Sequence, residues 1–539
     1  MSIQSSLKIS DKTALILPDD DLCVSYEHLN GLVHHLHSLF TNSVSPLYNK
    51  GSNSQLKVAI CLPNGLDFVV SFLAITTTGN VAAPFDPHSA QAELTAYFSD
   101  LEIDAVIVPR YAHLDRNSSP VSAARNINEC LVVEVWYDLA RQLLQFEIFD
   151  PHSLKSIYNS VIDKPALLPP NFKGSMIGTA SKDKLALVLF TSGTTGKAKS
   201  VPLTQSNLTS SMMNIIESYR LRSRDRNYVI MPLYHIHGLQ ILMSTLASEG
   251  TAIIPDRFHA SKFYPHFTKW KFNWYSAVPT IHYILLRGPI PEEIKGKLRF
   301  IRSSSSSLSL SIFEQLESKF GCPVVEAYGM TEASHQVTSN NLPFHGKIRR
   351  QAGTVGIPQG SVKLLIINDA NQTLGQYQTG QVAISGPNVT AGYLNDESAN
   401  KNSYFNHDGR TYFKTGDLGM LDDNGRLCLK GRLKEVINKG GEKISPLDIE
   451  TALSNHECVE ESVAYAVPDE KYGQTINCAV VLKEGASASA NELISWLNDK
   501  ISAFKIPQKL FLVKQLPKTT TGKIQRNKMA EIFGAKIKV

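Results

Sequence analysis

A run of small hydroxyl residues, glycines and lysines at positions 191–199 has the residue types and spacing of an anion-binding loop. The apolar run before it, at 185–190, is too short for a helix and lies between turn residues, so we interpret it as a buried strand. Glycine leaves the backbone free to curl, and amide and hydroxyl donors can then converge on one anion. The spacing differs from the usual nucleotide P-loop, which would need Gly in place of Thr191. These residues predict a polyphosphate-binding loop, with an ordinary surface turn of the same composition as the alternative.

Four further stretches carry residue types suited to purine, cation and thiol chemistry. They are, in chain order, EAYGMTE at 326–332, YFKTGDLG at 412–419, GRLKEVINKGGEKISP at 431–446 and LPKTTTGKIQR at 516–526. An aromatic face suits a purine, a carboxylate suits a hard cation or a pair of hydroxyl groups, and a glycine pair lets a thin ligand pass close to the backbone. Each stretch alone also fits a simpler interpretation: core packing, a turn, a charged linker or a solvated lysine.

Taken together and in this order, the five stretches resemble the signatures of the adenylate-forming superfamily. That superfamily comprises acyl-CoA synthetases, luciferases and the adenylation domains of peptide synthetases. Five matches in the same order outweigh the simpler interpretation of any single one. The resemblance covers most of the chain and implies ATP, Mg²⁺ and coenzyme A as cofactors and co-substrates.

The resemblance also implies a role for individual residues. Tyr328 would stack on adenine, Thr331 would contact the α-phosphate and Glu332 would help to hold Mg²⁺. Asp417 would accept hydrogen bonds from both ribose hydroxyls, and Arg432 would contact the nucleotide. The implied nucleotide- and cofactor-binding residues are Thr191, Ser192, Gly193, Thr194, Thr195, Gly196, Lys199, Glu326, Ala327, Tyr328, Asp417, Arg432, Gly440 and Gly441.

The remaining implied roles concern a change of domain orientation between two half-reactions. Lys434 would be the hinge, the Gly440–Gly441 pair would lie beside the pantetheine arm of coenzyme A, and Lys523 would be the catalytic lysine, acting with Thr331 and Glu332. A carboxylate would first attack the α-phosphorus of ATP and form acyl-AMP and pyrophosphate. A thiol would then displace AMP. Three alternatives stay open: an adenylation domain that charges a carrier protein, luciferase-type oxidation, and a non-catalytic nucleotide- or RNA-binding protein.

The acid is predicted from polar residues at positions where an enzyme for fatty acids would be apolar. Segments 232–239, 274–282, 299–305, 331–335 and 467–473 resemble the oxalyl-CoA synthetase group of plants and fungi. By this resemblance the acyl position would be faced by His235, His237, Ser305 and His335. Imidazoles and a hydroxyl can neutralise a second carboxylate, whereas an alkyl tail would leave them unpaired at a cost of about 1–3 kcal/mol each. We expect a very small dicarboxylic acid such as oxalate; another short or medium-chain acid, or histidines that merely fill the core or surface, are the alternatives.

The pattern of apolar segments predicts an α/β fold. Short apolar runs alternate with amphipathic stretches from residue 56, with strands at 58–61, 81–83 and 105–108 and helices at 65–75 and 90–99. A second α/β region follows from 185 to about 336, with strands at 228–231, 252–254 and 300–302 and a helix at 311–320. Residues 110–180 are interpreted as irregular connections around a short strand at 131–133.

The predicted domains follow from this pattern and from the motifs. A large N-terminal domain, residues 1–432, would hold two α/β sheet subdomains and a small antiparallel β subdomain at about 353–431. A small mobile α+β C-terminal domain, residues 433–539, would carry the catalytic lysine.

Composition limits the remaining function classes. The 539 residues carry 54 Lys+Arg against 49 Asp+Glu, a formal charge of +5 that by itself does not indicate nucleic acid. The sequence shows neither a secretory signal nor an apolar run long enough for a membrane span. Its seven cysteines lack a C-x-x-C pair and favour a reduced compartment without structural zinc. We expect a cytoplasmic monomer or homodimer with no dedicated nucleic-acid site; a peroxisomal location is possible, although the last three residues are not Ser-Lys-Leu.

Overall fold

The computed structural model describes residue 3 and residues 9–51, 54–160, 180–191, 198–343, 348–518 and 524–534. These residues form two compact units. The first unit consists of Met1–Ser276, Gly329–Gln336 and Pro387–Lys401, and the second consists of Ala277–Tyr328, Val337–Gly386 and Asn402–Val539. Each unit is described by itself below.

Helices and strands alternate through the first half of the chain. The helices are α1 (Tyr26–Thr41), α2 (Pro46–Lys50), α3 (Leu66–Thr77), α4 (Gln91–Leu101), α5 (Ser119–Arg125), α6 (Gln205–Tyr219), α7 (Ile236–Ala247) and α8 (Ala260–Trp270). The strands are β1 (Thr13–Leu17), β2 (Leu22–Ser25), β3 (Lys57–Ile60), β4 (Val81–Pro84), β5 (Ala105–Pro109), β6 (Leu131–Asp138), β7 (Leu143–Phe149), β8 (Ser156–Asn159), β9 (Leu185–Thr191), β10 (Lys199–Thr204), β11 (Arg226–Tyr228), β12 (Thr251–Ile253) and β13 (Trp274–Ala277).

The first unit contains an eight-stranded sheet in the order β10-β9-β4-β3-β5-β6-β7-β8. Its five central strands, β9 to β6 in this order, are parallel, whereas β10, β7 and β8 run antiparallel at the two edges. Residues 58–60 of β3 and 105–108 of β5 are fully buried, which explains their continuous apolar runs, since a parallel sheet is covered on both faces. In the same unit β11, β12 and β1 form parallel pairs, and β2 pairs with β1 in the antiparallel sense.

The rest of the chain adds smaller sheets. Its helices are α9 (Pro279–Arg287), α10 (Leu310–Phe320), α11 (Glu397–Ser403), α12 (Pro446–Ser454), α13 (Ala490–Asn498) and α14 (Met529–Gly534). Its strands are β14 (Phe300–Ser303), β15 (Val324–Met330), β16 (His335–Ser339), β17 (Ile357–Pro358), β18 (Lys363–Ile367), β19 (Gly380–Ser385), β20 (Tyr404–His407), β21 (Arg410–Leu421), β22 (Leu427–Arg432), β23 (Ile437–Lys439), β24 (Glu442–Ile444), β25 (Val459–Asp469), β26 (Gly473–Leu482) and β27 (Lys509–Leu512).

Two of these sheets lie entirely in the second unit. The antiparallel sheet β18-β19-β21-β20, with β22 paired to β21, is the β unit expected from the alternating runs. Near the C-terminal end, β24-β23-β26-β25 are antiparallel and β27 pairs in parallel with β26. Helices α12 and α13 pack on this last sheet through fully buried Ile449, Leu453 and Leu493.

Two expectations about local structure were wrong. The stretch after residue 110 is not merely irregular, because it contains α5 and the three strands β6, β7 and β8. The strand expected at 228–231 is β11, which begins at Arg226 and ends at Tyr228. The predicted positions of β9, α3, α4 and α10 agree with the structure to within a few residues. Within the described ranges no helix has the length and the apolar character needed to cross a membrane.

Candidate functional site

Three residues from separate motifs meet in the second unit, and we call them the Asp417 cluster: Tyr328, Asp417 and Arg432. The Tyr328 hydroxyl donates a hydrogen bond of 2.5 Å to Asp417 Oδ2, and Arg432 Nε lies 3.2 Å from Asp417 Oδ1. Asp417 and Arg432 are register partners on β21 and β22, which places their side chains on one face of the sheet. Burial and the neighbouring Asp417 carboxylate raise the pKa of Tyr328 well above its ordinary value. The cluster combines an aromatic ring, a carboxylate and an exposed cation, as nucleotide recognition requires.

Glu326 and Ala327 precede Tyr328 on β15 and have structural contacts of their own. Burial raises the pKa of the Glu326 carboxyl to about 8, and the Gly353 amide, which donates to Glu326 Oε2 over 3.1 Å, lowers it in part. The Ala327 carbonyl accepts a hydrogen bond of 2.9 Å from Ser304 Oγ. Glu326 therefore ties β15 to the turn at Gly353, two residues before the tyrosine that is predicted to stack on adenine.

A second group lies in the first unit, and we call it the Tyr393 cluster: Lys199, Glu332 and Tyr393. The Tyr393 hydroxyl donates a hydrogen bond of 2.9 Å to Glu332 Oε1, and Lys199 Nζ lies 4.4 Å from the centroid of the Tyr393 ring. Glu332 is buried in the 3-10 turn Thr331–Ala333, where Thr331 is half-buried. The structure thus brings the predicted loop lysine and the predicted metal carboxylate onto one tyrosine, which sequence analysis had not selected.

The donor set fits a cation that arrives with a polyphosphate. Mg²⁺ is usually held by one or two carboxylates together with substrate phosphates. Among the described residues, no group of three or more His, Cys, Asp or Glu side chains could hold a metal alone. Glu332 supplies one carboxylate beside a lysine cation, which suits a nucleotide-bound magnesium ion better than a permanent metal centre.

Six predicted residues lie outside the described residues, namely Ser192, Gly193, Thr194, Thr195, Gly196 and Lys523. The two ends of the loop are described. Thr191 ends β9 and Lys199 begins β10, and the two are register partners in an antiparallel pair. Thr191 and Lys199 therefore lie side by side at one edge of the eight-stranded sheet, and Thr191 stands at the end of a strand as predicted.

Two of the four predicted substrate residues meet in the first unit, and with Ser276 they form the His237 cluster. The rings of His237 and His335 are stacked, with centroids 4.7 Å apart and planes 21° apart. A hydrogen bond of 2.7 Å joins His237 Nε2 and Ser276 Oγ. All three residues are buried. The cluster offers two imidazoles and a hydroxyl for a small polar ligand.

Close backbone contacts fix both histidines. A Cβ atom at Gly238, the residue after His237, would lie 2.3 Å from the Pro232 carbonyl oxygen. A Cβ atom at Gly329 would lie 1.7 Å from the His335 carbonyl oxygen. Only glycine allows these approaches, so the glycines of the two motifs are needed for packing around the histidines.

The other two predicted substrate residues are not part of this cluster. His235 is the residue before α7 and is half-buried, with its ring 4.8 Å from that of Tyr234. Ser305 belongs to the second unit, is half-buried and adopts a positive φ of 72°. Within the first unit, the structure brings His237 and His335 into direct ring contact.

The predicted hinge and glycine pair lie in the second unit. Lys434 is exposed in the 3-10 turn Leu433–Glu435. Gly440 and Gly441 connect β23 to β24 with φ values of 60° and 95°, which disfavour residues with a side chain. A Cβ atom at Gly440 would lie 3.0 Å from a ring carbon of Tyr472, so the chain passes close to an aromatic side chain there.

The residues on either side of the segment 519–523 are held by ion pairs that sequence analysis did not identify. Lys518 Nζ lies 2.7 Å from Glu461 Oε1, and Lys518 forms an isolated β-bridge with Ile524. Arg526 Nε lies 3.0 Å from Glu435 Oε2, and Arg526 also pairs with Glu450. The available signal in the sequence was Arg526 itself, a basic residue three positions after the predicted catalytic lysine.

Comparison with known proteins places this geometry in a family. The model of the AMP-binding enzyme family matches residues 8–394, and the model of its C-terminal domain matches residues 448–523. The chain belongs to the AMP-binding enzyme family. It is 42% identical to an oxalate–CoA ligase of Saccharomyces cerevisiae over 99% of this chain and 96% of that protein. It is 38% identical to an oxalate–CoA ligase of Arabidopsis thaliana over 92% of each chain.

A solved structure supports the same assignment. The ATP-bound MatB from Rhodopseudomonas palustris is 25% identical, covers 99% of both chains and superimposes with a TM-score of 0.83. The predictions of the adenylate-forming superfamily and of its α/β fold are thereby confirmed. The roles of single residues, the domain boundary at 432/433, the oligomeric state and the compartment stay predictions.

Proposed function

We propose that this AMP-binding enzyme activates a very small dicarboxylic acid, such as oxalate, with ATP, Mg²⁺ and coenzyme A. The protein is an ATP-dependent, AMP-forming acid–CoA ligase. The observation that carries the choice of acid is the His237 cluster, whose stacked imidazoles and hydroxyl are buried together in the first unit. The two relatives named oxalate–CoA ligases support it across nearly the whole chain.

The polarity of the His237 cluster is the physical reason for a small acid. A second carboxylate can accept hydrogen bonds from imidazole and hydroxyl donors and can be neutralised by an imidazolium. An alkyl tail would displace those partners and leave polar groups unpaired, at a cost of about 1–3 kcal/mol each. A longer diacid carries methylenes that can take the place of these hydrogen-bond partners, so the smallest diacids are favoured.

The first half-reaction joins the acid to AMP. A substrate carboxylate oxygen attacks the α-phosphorus of ATP, the bond to the bridging oxygen breaks, and pyrophosphate leaves. The Asp417 cluster would hold adenine and ribose, while Lys199 and Thr331 would face the phosphates. When bound beside Glu332, Mg²⁺ would neutralise charge on the phosphate oxygens. No side-chain nucleophile is needed, because positioning and electrostatic stabilisation lower the barrier.

The second half-reaction transfers the acyl group to coenzyme A. The thiol loses its proton to solvent, its sulfur attacks the carbonyl carbon of the acyl-adenylate, the bond to the phosphate oxygen breaks, and AMP leaves with the electron pair. Lys523 would stabilise the charge of the first step and withdraw before the second. Gly440 and Gly441, whose turn at positive φ passes close to Tyr472, would lie beside the pantetheine arm.

A substrate screen tests this proposal. Pyrophosphate release is measured with ATP, Mg²⁺ and coenzyme A over short monocarboxylates, dicarboxylates and hexanoate, and the thioester is identified by mass spectrometry. We expect oxalate to give the highest kcat/KM and oxalyl-CoA to accumulate. A preference for hexanoate or longer acids over oxalate would remove the argument from the His237 cluster. Adenylation without a thioester to free coenzyme A would instead favour the carrier-protein alternative.

A further inference from the structure

Tyr393 is a buried residue outside all of the motifs, yet it contacts two residues that the motifs assign to the phosphates and the metal. Its hydroxyl donates a hydrogen bond of 2.9 Å to Glu332 Oε1, and Lys199 Nζ lies 4.4 Å from the centroid of its ring. Only 8% of Tyr393 is exposed, so both contacts are made away from bulk water. In such surroundings a hydrogen bond to an ionised carboxylate and a cation over a ring are both stronger than at the surface.

The backbone around Tyr393 is held rigidly by the first unit. The Tyr393 amide donates 2.7 Å to Asn400 Oδ1, and the Leu394 amide donates 3.0 Å to the Ser200 carbonyl. Thr390 Oγ1 donates 2.6 Å to the Pro202 carbonyl on β10. The tyrosine is therefore fastened to the strand that begins with Lys199, and its position is set by the end of the phosphate loop.

The same segment is fastened to Glu332 at a second point. The Thr390 amide donates a hydrogen bond of 2.8 Å to the Glu332 carbonyl oxygen. Asn207, which caps α6 together with Thr204, also donates to the Pro387 and Val389 carbonyls over 2.9 and 3.0 Å. Backbone and side chain of Glu332 are thus both bonded to one short segment, which leaves the carboxylate little freedom to rotate.

We propose that Tyr393 is a positioning residue of the first half-reaction. Its hydroxyl orients the Glu332 carboxylate toward the cation of the incoming magnesium nucleotide, and its ring contacts Lys199. This inference rests on the proposed function. Hydroxyl donors bonded to a metal-binding carboxylate fix its orientation and set metal affinity, and their loss typically weakens it by about 10–100-fold. The hydroxyl acts on the carboxylate, and the ring acts on the lysine. Each contact can therefore be removed separately.

Two substitutions separate the contacts. Tyr393→Phe removes the hydroxyl and keeps the ring, and Tyr393→Leu removes both. Mn²⁺ binding is measured by electron paramagnetic resonance with α,β-methylene-ATP and no acid. Binding of the same analogue without metal is measured by calorimetry. We expect Tyr393→Phe to weaken Mn²⁺ binding about 10–100-fold with nearly unchanged metal-free binding, and Tyr393→Leu to weaken both. Tyr97→Phe is the matched control, because it removes a hydroxyl that donates a hydrogen bond of 2.8 Å to the Glu93 carboxylate on α4 and keeps the ring, which stacks on Phe190.

A double-mutant cycle with Glu332→Gln decides whether Tyr393 acts through Glu332. If it does, Tyr393→Phe adds little to the loss already caused by Glu332→Gln. Equal Mn²⁺ affinities in Tyr393→Phe and wild type, with Glu332→Gln weakened, would overturn the inference and leave the proposed function intact. Unchanged Mn²⁺ affinity in Glu332→Gln would instead remove Glu332 from the proposed function. Circular dichroism checks that each variant is folded.

Discussion

In the second unit Asp417 is held between a phenol and a guanidinium, whereas in the first unit His237 is held between a hydroxyl and another imidazole. The Asp417 cluster contains a full negative and a full positive charge whatever the ligand. The His237 cluster gains a full charge only when an imidazole is protonated. A cluster with permanent charges suits a ligand that every member of a superfamily binds. A cluster of imidazoles has no permanent charge and can be protonated when a charged ligand binds, so it suits discrimination between acids.

The largest expected effect comes from a residue that belongs to neither cluster. Lys523→Ala should lower the rate of acyl-adenylate formation by about 100–1,000-fold, the scale of losing one oxyanion donor. Thioester formation from supplied acyl-adenylate should be largely preserved. Single-turnover pyrophosphate release measures the first step, and thioester release measures the second.

The matched control for this variant is Lys528→Ala, which removes an exposed lysine five positions later. Its rate in both steps should equal that of the wild type. Equal losses in the two steps for Lys523→Ala would contradict the assigned role, because a lysine that withdraws cannot serve the second step.

The Asp417 cluster should determine nucleotide affinity and leave acid preference alone. Asp417→Asn removes the charge that Tyr328 and Arg432 share, and hydrogen bonds to charged groups contribute about 1.5–3 kcal/mol, or about 10–100-fold in affinity. We expect the KM for ATP to rise by that factor at an unchanged ratio of rates for oxalate and malonate. Asp423→Asn, an exposed aspartate on the turn after β21, is the control. If Asp417→Asn changed the ratio of rates for oxalate and malonate, the two clusters would not have separate roles in nucleotide binding and acid preference.

The His237 cluster should determine acid preference and leave nucleotide affinity unchanged, and its expected effect is smaller. His237→Phe keeps an aromatic ring beside His335 but removes the partner of Ser276, so the preference for oxalate over acetate should fall about tenfold, within the cost of an unpaired polar group. The KM for ATP should stay within twofold of the wild type, which requires about 0.4 kcal/mol or less. Steady-state kinetics with both acids measure the ratio. His88→Phe, at an exposed histidine, should leave it unchanged.

The smallest effect concerns pH and Glu326. Because burial raises the pKa of Glu326 to about 8, the folded protein keeps a proton that the unfolded chain loses near pH 4.5. The folded state therefore loses stability as pH rises from about 4.5 to about 8. Glu326→Gln should abolish this loss, so that its melting temperature exceeds that of the wild type by a few degrees at pH 8.5 and by less at pH 5.5. A constant difference across this range would show that Glu326 does not titrate on unfolding.

Sequence patterns predicted the buried parts of the fold well, because burial on both faces produces continuous apolar runs such as those of β3, β5 and β9. They failed for β7 and β8, where strands at the edge of the sheet mix polar and apolar residues. The end of β11 was misplaced because Val229, Ile230 and Met231 are buried and apolar without being part of a strand.

The candidate site divides in the same way. Motif strings selected Tyr328, Asp417 and Arg432, but no periodicity could show that residues almost ninety positions apart share hydrogen bonds. Tyr393 and Ser276 were missed because a single tyrosine or serine carries no spacing signal. His235 has the same residue type as His237, and only the fold distinguishes the two.

The ion pairs of Arg526 have a consequence for any movement at Lys434. Glu435 follows Lys434 directly, and Arg526 ties Glu435 and Glu450 to the strand position at Ala464. If the backbone turns at Lys434, the ion pairs hold these residues together, so that they move as one rigid body. Only one ion pair separates Glu435, next to Lys434, from Arg526. A modest rotation at Lys434 would then carry Arg526 with it, without local unfolding of the residues that the ion pairs join.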